Sequence, residues 1–194
     1  MEGTATVSIA PTYGASASLQ YNTSTLRTAG VDARLLLAPR HAERRDRVMK
    51  EILASGLPFH QRSVSGSVAA NGTVIHLADT TGELRQLTRA ADLAFTGKSL
   101  APHDGGQTPV ECAAAGVPLV YGPAMTNFRE ICNGLEAVGA ATPTADAHEA
   151  QGVIIKLAQD ARARAAQHVA AIAWHTRNRG ATARTIQRLL NQSR

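Results

Sequence analysis

The chain has 194 residues, of which 44% are hydrophobic and 18% charged, a composition that fits a globular protein with a sizeable core and argues against disorder. Lysine and arginine together number 20 against 15 aspartates and glutamates, so the net charge of +5 favours an anionic partner: a nucleotide phosphate, nucleic acid or an acidic membrane surface. The chain has no uncharged apolar run of about 18 residues and no signal-peptide pattern, so neither a membrane span nor a secretion signal is predicted.

Short apolar runs alternate with helical stretches along the chain. Strands are predicted, in order, at residues 5–10, 33–38, 59–64, 73–78, 93–95 and 118–121. Helices are predicted in the polar stretch that ends near residue 28, over 42–55, from 79, from 109, over 127–135, at about 145–172 and at 181–191. Several strands are apolar throughout, as in a sheet buried on both faces. The pattern predicts an α/β fold, in which residues 1–194 form a single Rossmann-like domain with a parallel sheet and helices on both faces.

Three loops follow predicted strands directly and therefore belong to the edge where such sheets bind ligands. They are residues 39–41, 79–83 and 97–111. A ligand is expected where these loops meet.

Gly97-Lys98-Ser99 matches the end of a triphosphate-binding P-loop, but the rest of that motif is missing. The motif needs a glycine five positions before Gly97, where this chain has Asp92. A helix should also begin after Ser99, yet Pro102 keeps the chain in a loop. The P-loop interpretation is rejected.

The later part of the same loop, residues 105–111, has features of a different kind of nucleotide-binding site. Gly105 and Gly106 can adopt positive φ and approach a ligand closely, and Thr108 and Pro109 suit a helix start. Free backbone N–H groups there attract phosphate, and Glu111 could accept hydrogen bonds from a ribose diol. The alternative is a plain tight turn, with Glu111 merely favouring the helix N-terminus. The residues alone leave both open.

Several segments, in order, resemble the 3-deoxy-D-manno-octulosonic acid (Kdo) transferases of lipopolysaccharide synthesis. Residues 36–44 (LLAPRHAER) resemble the VPRHPER segment of that family, and residues 79–84 (DTTGEL) resemble its DTMGEL. Residues 96–111 are similar to its GGSLVPxGGHNPLE, residues 122–131 to its GP…NFREI, and residues 179–181 to its last-helix region. The resemblance covers nearly the whole chain, so it is more specific than any one motif.

The resemblance implies the C-terminal, donor-binding half of a GT-B glycosyltransferase, an enzyme of two Rossmann-like domains. It implies CMP-Kdo as the donor, no cofactor or metal, and a lipid A precursor held by an N-terminal domain that carries the catalytic carboxylate. No catalytic residue is therefore expected here, and the isolated domain should bind donor without turnover. The implied location is the cytoplasmic face of the bacterial inner membrane, where Arg44, Arg45 and Arg47 could touch anionic lipid, although a solvated helix face is the alternative. No nucleic acid partner is expected.

The resemblance also implies the contact residues. Contacts to CMP are expected from Pro39, Arg40, Thr81, Gly82, Glu83, Gly105, Gly106, Gln107, Thr108, Pro109, Val110 and Glu111. Possible contacts to the donor sugar are His41, Lys98, Ser99, His103 and Asn127. Arg40 would donate to the phosphate or the cytosine carbonyl, with an ion pair to Glu43 as the alternative. For the other charged and polar loop residues the alternatives are solvated side chains and helix caps.

The chain departs from the family pattern at several positions. Thr108 replaces Asn, Thr81 replaces Met, Lys98 replaces Gly, and the loop at residues 103–105 is one residue longer. Residues 12–15 (TYGA) replace the family's His-Glu-Gly-Glu segment. One alternative is thus a related GT-B donor domain that uses another nucleotide sugar. A second, suggested by the basic composition, is a non-catalytic nucleic-acid-binding module.

Cys112 and Cys132 are the chain's two cysteines. They form no Cys-x-x-Cys pair, and neither has a histidine at zinc-ligand spacing. Both lie in apolar helical stretches and are predicted to be small buried thiols, so no disulfide framework is expected.

Overall fold

A parallel β-sheet is the centre of the fold. The computed structural model describes residues 5–9, 26, 28–39, 45–64, 66 and 68–192. The described strands are β1 Ala5–Ile9, β2 Ala33–Leu37, β3 Phe59–Gln61, β4 Ile75–Leu77, β5 Leu93–Phe95, β6 Leu119–Tyr121 and β7 Ala141–Pro143. They lie in the order β3-β4-β2-β1-β5-β6-β7, and every pairing is parallel.

Helices connect the strands and follow the last one. They are α1 Arg45–Ser55, α2 Leu84–Thr88, α3 Val110–Ala115, α4 Arg129–Glu136, α5 Ala147–Gln159, α6 Ala161–Asn178 and α7 Ala181–Gln192, and a 3₁₀ turn at Thr126–Phe128 leads into α4. No helix in the described part of the chain is both long and apolar enough to cross a lipid bilayer.

Two apolar layers, one on each side of the sheet, hold it between helices. Alternate strand residues such as Leu37 and Ile75 pack on one side against Ile52 of α1 and Ile154 of α5. On the other side, Leu119 and its neighbours pack against Ala113 of α3, Cys132 and Leu135 of α4 and Ala171 of α6. The predicted α/β architecture with helices on both faces is confirmed.

The strand order identifies where a ligand should bind. From β1 the chain builds the sheet toward the β3 edge, and it then crosses back to place β5 on the other side of β1. The sheet therefore has its switch point between β1 and β5, at the carboxyl ends of these strands. The loop that follows Phe95 starts at this point.

The structure corrects several predicted elements. The six predicted strands exist, but β7 was missed, because a short segment ending at Pro143 lacks the β-branched and aromatic residues of a typical strand. The helix predicted over 145–172 is two helices, separated at Asp160, whose Oδ1 accepts a hydrogen bond from the Ala163 N–H at 2.8 Å. The helix expected from residue 79 begins only at Leu84. Most of the helix predicted before residue 28, together with residues 42–44, lies outside the described residues.

We expect Asp160→Ala to lower the free energy of unfolding by about 1 kcal/mol, because the first turn of α6 loses its side-chain cap. Asp160→Asn is the matched control, since an amide oxygen caps a helix as well as a carboxylate. Urea denaturation followed by circular dichroism measures both variants. Equal losses in the two variants would show that the cap is not the stabilising interaction.

Candidate functional site

A cavity of about 240 Å³ opens at the carboxyl edge of the sheet, where the three predicted loops converge. Of the expected contact residues it is lined by Pro39, Thr81, Gly82 and Gln107. Its other lining residues are Ala38, Arg45, Ala78, Asp79, Thr80, Leu84 and Leu87. Loops that follow β2, β4 and β5 thus share one concave site, beside the switch point of the sheet.

The Asp79 carboxylate fixes the start of the loop that follows β4. Its side chain is fully buried, and it accepts hydrogen bonds from the Ser63 N–H at 2.8 Å, the Ser63 hydroxyl at 2.6 Å and the Gln61 amide at 2.8 Å. Burial by itself would raise the pKa of Asp79, but these hydrogen bonds outweigh it and hold the pKa below its ordinary value. Arg45 adds a more distant ion pair, with 3.7 Å between its Nε and the carboxylate.

Glu83 closes the same loop through contacts within the protein. Arg62 donates to its carboxylate at 2.9 Å, and the Thr80 hydroxyl donates to it as well. The Arg62 and Thr80 hydrogen bonds lower the pKa of Glu83. Glu83 occupies the N-cap position of α2, but its side chain does not cap that helix. Its carboxylate therefore shapes the loop, and the contact to CMP expected from Glu83 stays a prediction.

The loop after β5 begins with one strained residue and one buried residue. Lys98 has a φ of 59°, in the left-handed region that glycine adopts without cost. Ser99 is fully buried; its hydroxyl donates to the Thr96 carbonyl at 2.6 Å and accepts from the Gly122 N–H at 2.8 Å. The structure thus gives Ser99 an internal role, joining two loops, instead of the possible sugar contact.

Gly105 and Gly106 have the predicted positive φ, 88° and 63°. Their close approach, however, is to the loop before α4 and not to open space. A Cβ at Gly105 would lie 2.5 Å from the Asn127 amide nitrogen, and one at Gly106 would collide with the sulfur of Met125. Glycine is required at both positions because the backbone of this loop packs directly against side chains of the loop before α4. The expectation that they approach a ligand directly is corrected to this extent.

Asp104 adds a polar connection between the same two loops. One carboxylate oxygen accepts from the Gly105 N–H at 2.7 Å and from the Thr126 hydroxyl at 2.9 Å. This places the exposed Asn127 beside the glycine loop. The loops that follow β5 and β6 therefore form one unit.

Helix α3 starts one residue later than expected. Pro109 is in the N-cap position, where it makes no side-chain cap, and the Thr108 hydroxyl oxygen lies 3.4 Å from the Val110 N–H. That distance is too long for a strong hydrogen bond, so the predicted Thr108 cap is weak. With six residues, α3 also carries only a small dipole.

Glu111, in the first turn of α3, has an unusual environment. Its Oε2 atom is buried and makes no hydrogen bond within the described residues. An unpartnered buried carboxylate oxygen is costly unless a ligand or water supplies a donor. Among the residues of this loop, Glu111 is therefore the best candidate to accept a hydrogen bond from a hydroxyl group of a ligand.

The remaining expected residues are distributed as follows. Arg40 and His41 lie outside the described residues. His103 is half-buried in the loop after β5. Sequence reasoning missed the Gln61 and Ser63 contribution, since polar residues at the end of an edge strand give no motif signal.

The two cysteines are free thiols, as predicted. Cys132 is buried and Cys112 is half-buried. Burial, with a smaller effect of the neighbouring Glu111 carboxylate, raises the pKa of Cys112 to about 12, so the thiol stays protonated at neutral pH. No group of three or more His, Cys, Asp or Glu side chains placed to hold a metal ion occurs in the part of the chain that the structure describes.

Replacing Asp79 with asparagine should lower the free energy of unfolding at pH 7 by about 1–3 kcal/mol, because buried hydrogen bonds are broken or lose their charge. The folded-state pKa of Asp79 is depressed, so its contribution is present above its ordinary pKa and is lost as the pH falls through the folded value. The difference between wild type and variant should therefore shrink on acidification below pH 4, as chemical denaturation at several pH values can measure.

Asp46→Asn, which changes an exposed carboxylate on α1, is the matched control and should alter stability by less than about 0.5 kcal/mol. A difference between wild type and Asp79→Asn that stays constant with pH would contradict the assigned role of the carboxylate.

Lys98→Gly should raise the free energy of unfolding by about 0.5–1 kcal/mol. A left-handed conformation costs an L-residue roughly 1–2 kcal/mol, and the greater freedom of glycine in the unfolded chain offsets part of the gain. Lys98→Ala removes the ammonium but keeps the backbone strain, so it should bring no such gain. Thermal unfolding of both variants makes the test, and an equal gain in each would refute backbone strain as the cause.

Comparison with known proteins agrees with this architecture. No protein-family model matches the chain. A 3-deoxy-D-manno-octulosonic acid transferase of Bordetella pertussis is 36% identical over 155 residues, which are 80% of this chain and 36% of that protein. The chain therefore spans about a third of the length of this curated relative.

Solved structures give the corresponding fold. The C-terminal CMP-Kdo binding domain of WaaA from Acinetobacter baumannii superimposes with a TM-score of 0.73 at 28% identity, covering 89% of this chain and 90% of that one. The spinosyn rhamnosyltransferase SpnG gives a TM-score of 0.57 at 15% identity, covering 96% of this chain and 46% of SpnG, which is a likeness of fold alone. By sequence and by fold, the chain therefore belongs to the Kdo transferase family and matches its C-terminal domain.

Proposed function

We propose that this chain is the CMP-Kdo-binding domain of a glycosyltransferase that acts in lipid A and lipopolysaccharide core synthesis. The observation that carries the proposal is a single cavity to which three separate loops contribute. Its lining includes Pro39, Thr81, Gly82 and Gln107. The similarity to a solved CMP-Kdo binding domain supports the same ligand. The cavity volume of about 240 Å³ suits part of a nucleotide sugar, with the remainder extending into the cleft toward the second domain.

Charge at the site favours a phosphate. Arg45 lines the cavity, and its side chain is 41% exposed, with Nε 3.7 Å from the Asp79 carboxylate, so the guanidinium can also reach an anionic ligand. Lys98 lies at the switch point on the neighbouring loop. Since α3 is too short and too weakly capped to bind the phosphate by its dipole alone, these side chains carry most of the attraction. Arg45 thereby acquires a nucleotide role in place of the lipid contact.

The ribose is assigned to Glu111. Its unpartnered buried oxygen can accept hydrogen bonds from one or both hydroxyls of the sugar. A charged acceptor inside a protein discriminates strongly between ligands with and without a donor, because loss of the donor leaves the carboxylate unsatisfied.

The complete enzyme, on this proposal, transfers Kdo from CMP-Kdo to a hydroxyl of a lipid A precursor at the cytoplasmic face of the inner membrane. The acceptor and the catalytic carboxylate belong to an N-terminal domain beyond this chain. Arg45 and backbone groups of the loops stabilise the departing CMP electrostatically. No metal or cofactor takes part, and the chain alone binds donor but does not transfer the sugar.

The test compares CMP with 2′-deoxy-CMP by isothermal titration calorimetry. We expect wild type to bind CMP more tightly, and Glu111→Gln to weaken CMP binding about 10- to 100-fold while removing most of the preference, since a charged hydrogen bond contributes about 1.5–3 kcal/mol. Glu130→Gln, an exposed glutamate on α4, is the matched control and should bind as wild type does.

Other outcomes separate the alternatives. Tighter binding of UDP or GDP than of CMP would assign the chain to a different donor. Binding of oligonucleotides that survives Glu111→Gln, without any CMP binding, would replace the proposal by a nucleic-acid-binding module. Sugar transfer by the isolated chain to a lipid A precursor would contradict the assigned division of labour between the domains.

A further inference from the structure

A second cavity, of about 290 Å³, lies on the opposite side of the sheet from α1. It is bounded by β2, β4, the end of β3 and helix α2. Its lining residues are Arg34, Leu36, His60, Arg62, His76, Leu77, Ala78, Leu87 and Ala90. None of the residues expected to contact CMP is among them.

The cavity exists because one helix is missing from this face. The connection from β3 to β4 and the connection from β4 to β5 run in the same direction across the sheet. Because crossovers between parallel strands are right-handed, both connections pass over the face opposite α1. The described residues between Gln61 and Ile75 form no helix. Among the described residues, only the five-residue α2 covers the strands here, so polar side chains of the sheet remain accessible.

Four basic side chains converge on this space. The strand register aligns Leu36, His76 and His60 in one row across three strands, and the two imidazole rings lie 5.7 Å apart. Arg34, two residues before Leu36, shares their face. No carboxylate occurs among the described residues that line the cavity. At the rim, Glu83 pairs with Arg62, with 2.9 Å between the guanidinium and the carboxylate.

Burial and the neighbouring cations act in the same direction on the pKa of His76. Burial first, and then the neighbouring His60 and Arg34, hold the pKa of His76 below its ordinary value. Helix α2 contributes Leu87 to the lining, and Ala90, two residues after the helix ends, is also there; neither carries a charge. An anion in the cavity would reverse the effect of the cationic neighbours.

We propose that this cavity binds the phosphate group of a soluble small molecule, held by Arg34 and Arg62 and by the imidazoles of His60 and His76. The guanidinium groups supply planar donor pairs that fit phosphate oxygens. Leu36 and Leu87 provide an apolar wall for the body of the ligand. The site is separate from the CMP cavity, with Ala78 and Leu87 as the shared boundary, and it does not depend on the function proposed above.

Titration of the imidazoles by NMR tests the site on the 194-residue chain. The pKa values of His60 and His76 are measured in inorganic phosphate and in chloride at equal ionic strength. We expect phosphate to raise the pKa of His76 by about 0.5, since anion and proton binding are linked.

Matched variants separate the site from general charge effects. Arg34→Gln should abolish the phosphate response, whereas Arg89→Gln, which removes an exposed arginine that lines neither cavity, should keep it. Circular dichroism verifies that both variants fold, and His60→Gln serves as a second variant if Arg34→Gln does not. Vesicles of phosphatidylcholine with phosphatidic acid test the alternative source of phosphate.

Three results would overturn the proposal. Phosphate and chloride could give the same pKa for His76. The response could persist unchanged in Arg34→Gln and His60→Gln. Or the imidazoles could respond only to phosphatidic acid vesicles, which would indicate a membrane surface and not a small-molecule site.

Discussion

The geometry of the candidate site depends on one buried carboxylate. Asp79 accepts three hydrogen bonds from Gln61 and Ser63, so the end of the edge strand and the loop after β4 move as one piece. The ion pair of Arg62 with Glu83 fastens the far end of the same loop. Because Thr81 and Gly82 lie between these two attachments, their backbone is held in place without any packing of their own side chains.

A second constraint acts at the switch point, where packing and not hydrogen bonding dominates. Gly122 leaves room for the Ser99 carbonyl, and Gly105 and Gly106 leave room for Asn127 and Met125. Because these glycines have no side chains, the loops after β5 and β6 can come into contact. Ser99 and Asp104 add hydrogen bonds between the two loops. On one side of the cavity, the loop after β4 is fixed by the interactions of Asp79 and Glu83. On the other side, the loop after β5 is fixed by its close packing against the loop after β6. Both features are expected of a preorganised ligand site.

The fold could be predicted from the sequence largely because the buried strands are continuous apolar runs, and the loops that follow them could be located for the same reason. Errors occurred where a local pattern competes with tertiary context: β7 is short and ends in proline, and Asp160 divides what periodicity presents as one helix. Within the site, Ser99 looked like a ligand contact because burial is invisible in sequence. The position of Arg45 at the cavity could not be predicted, because nothing in an amphipathic helix shows which loop lies next to its N-terminus.

The edges of the sheet have a consequence for association between molecules. At one rim, β7 ends in Pro143, which has no N–H to offer to an incoming strand; at the other rim, β3 spans just three residues. Within the described strands, neither rim offers the long, regular row of unpaired backbone groups on which strands of separate molecules add to one another. The described sheet is therefore poorly suited to edge-to-edge growth, while its carboxyl edge stays open for ligand.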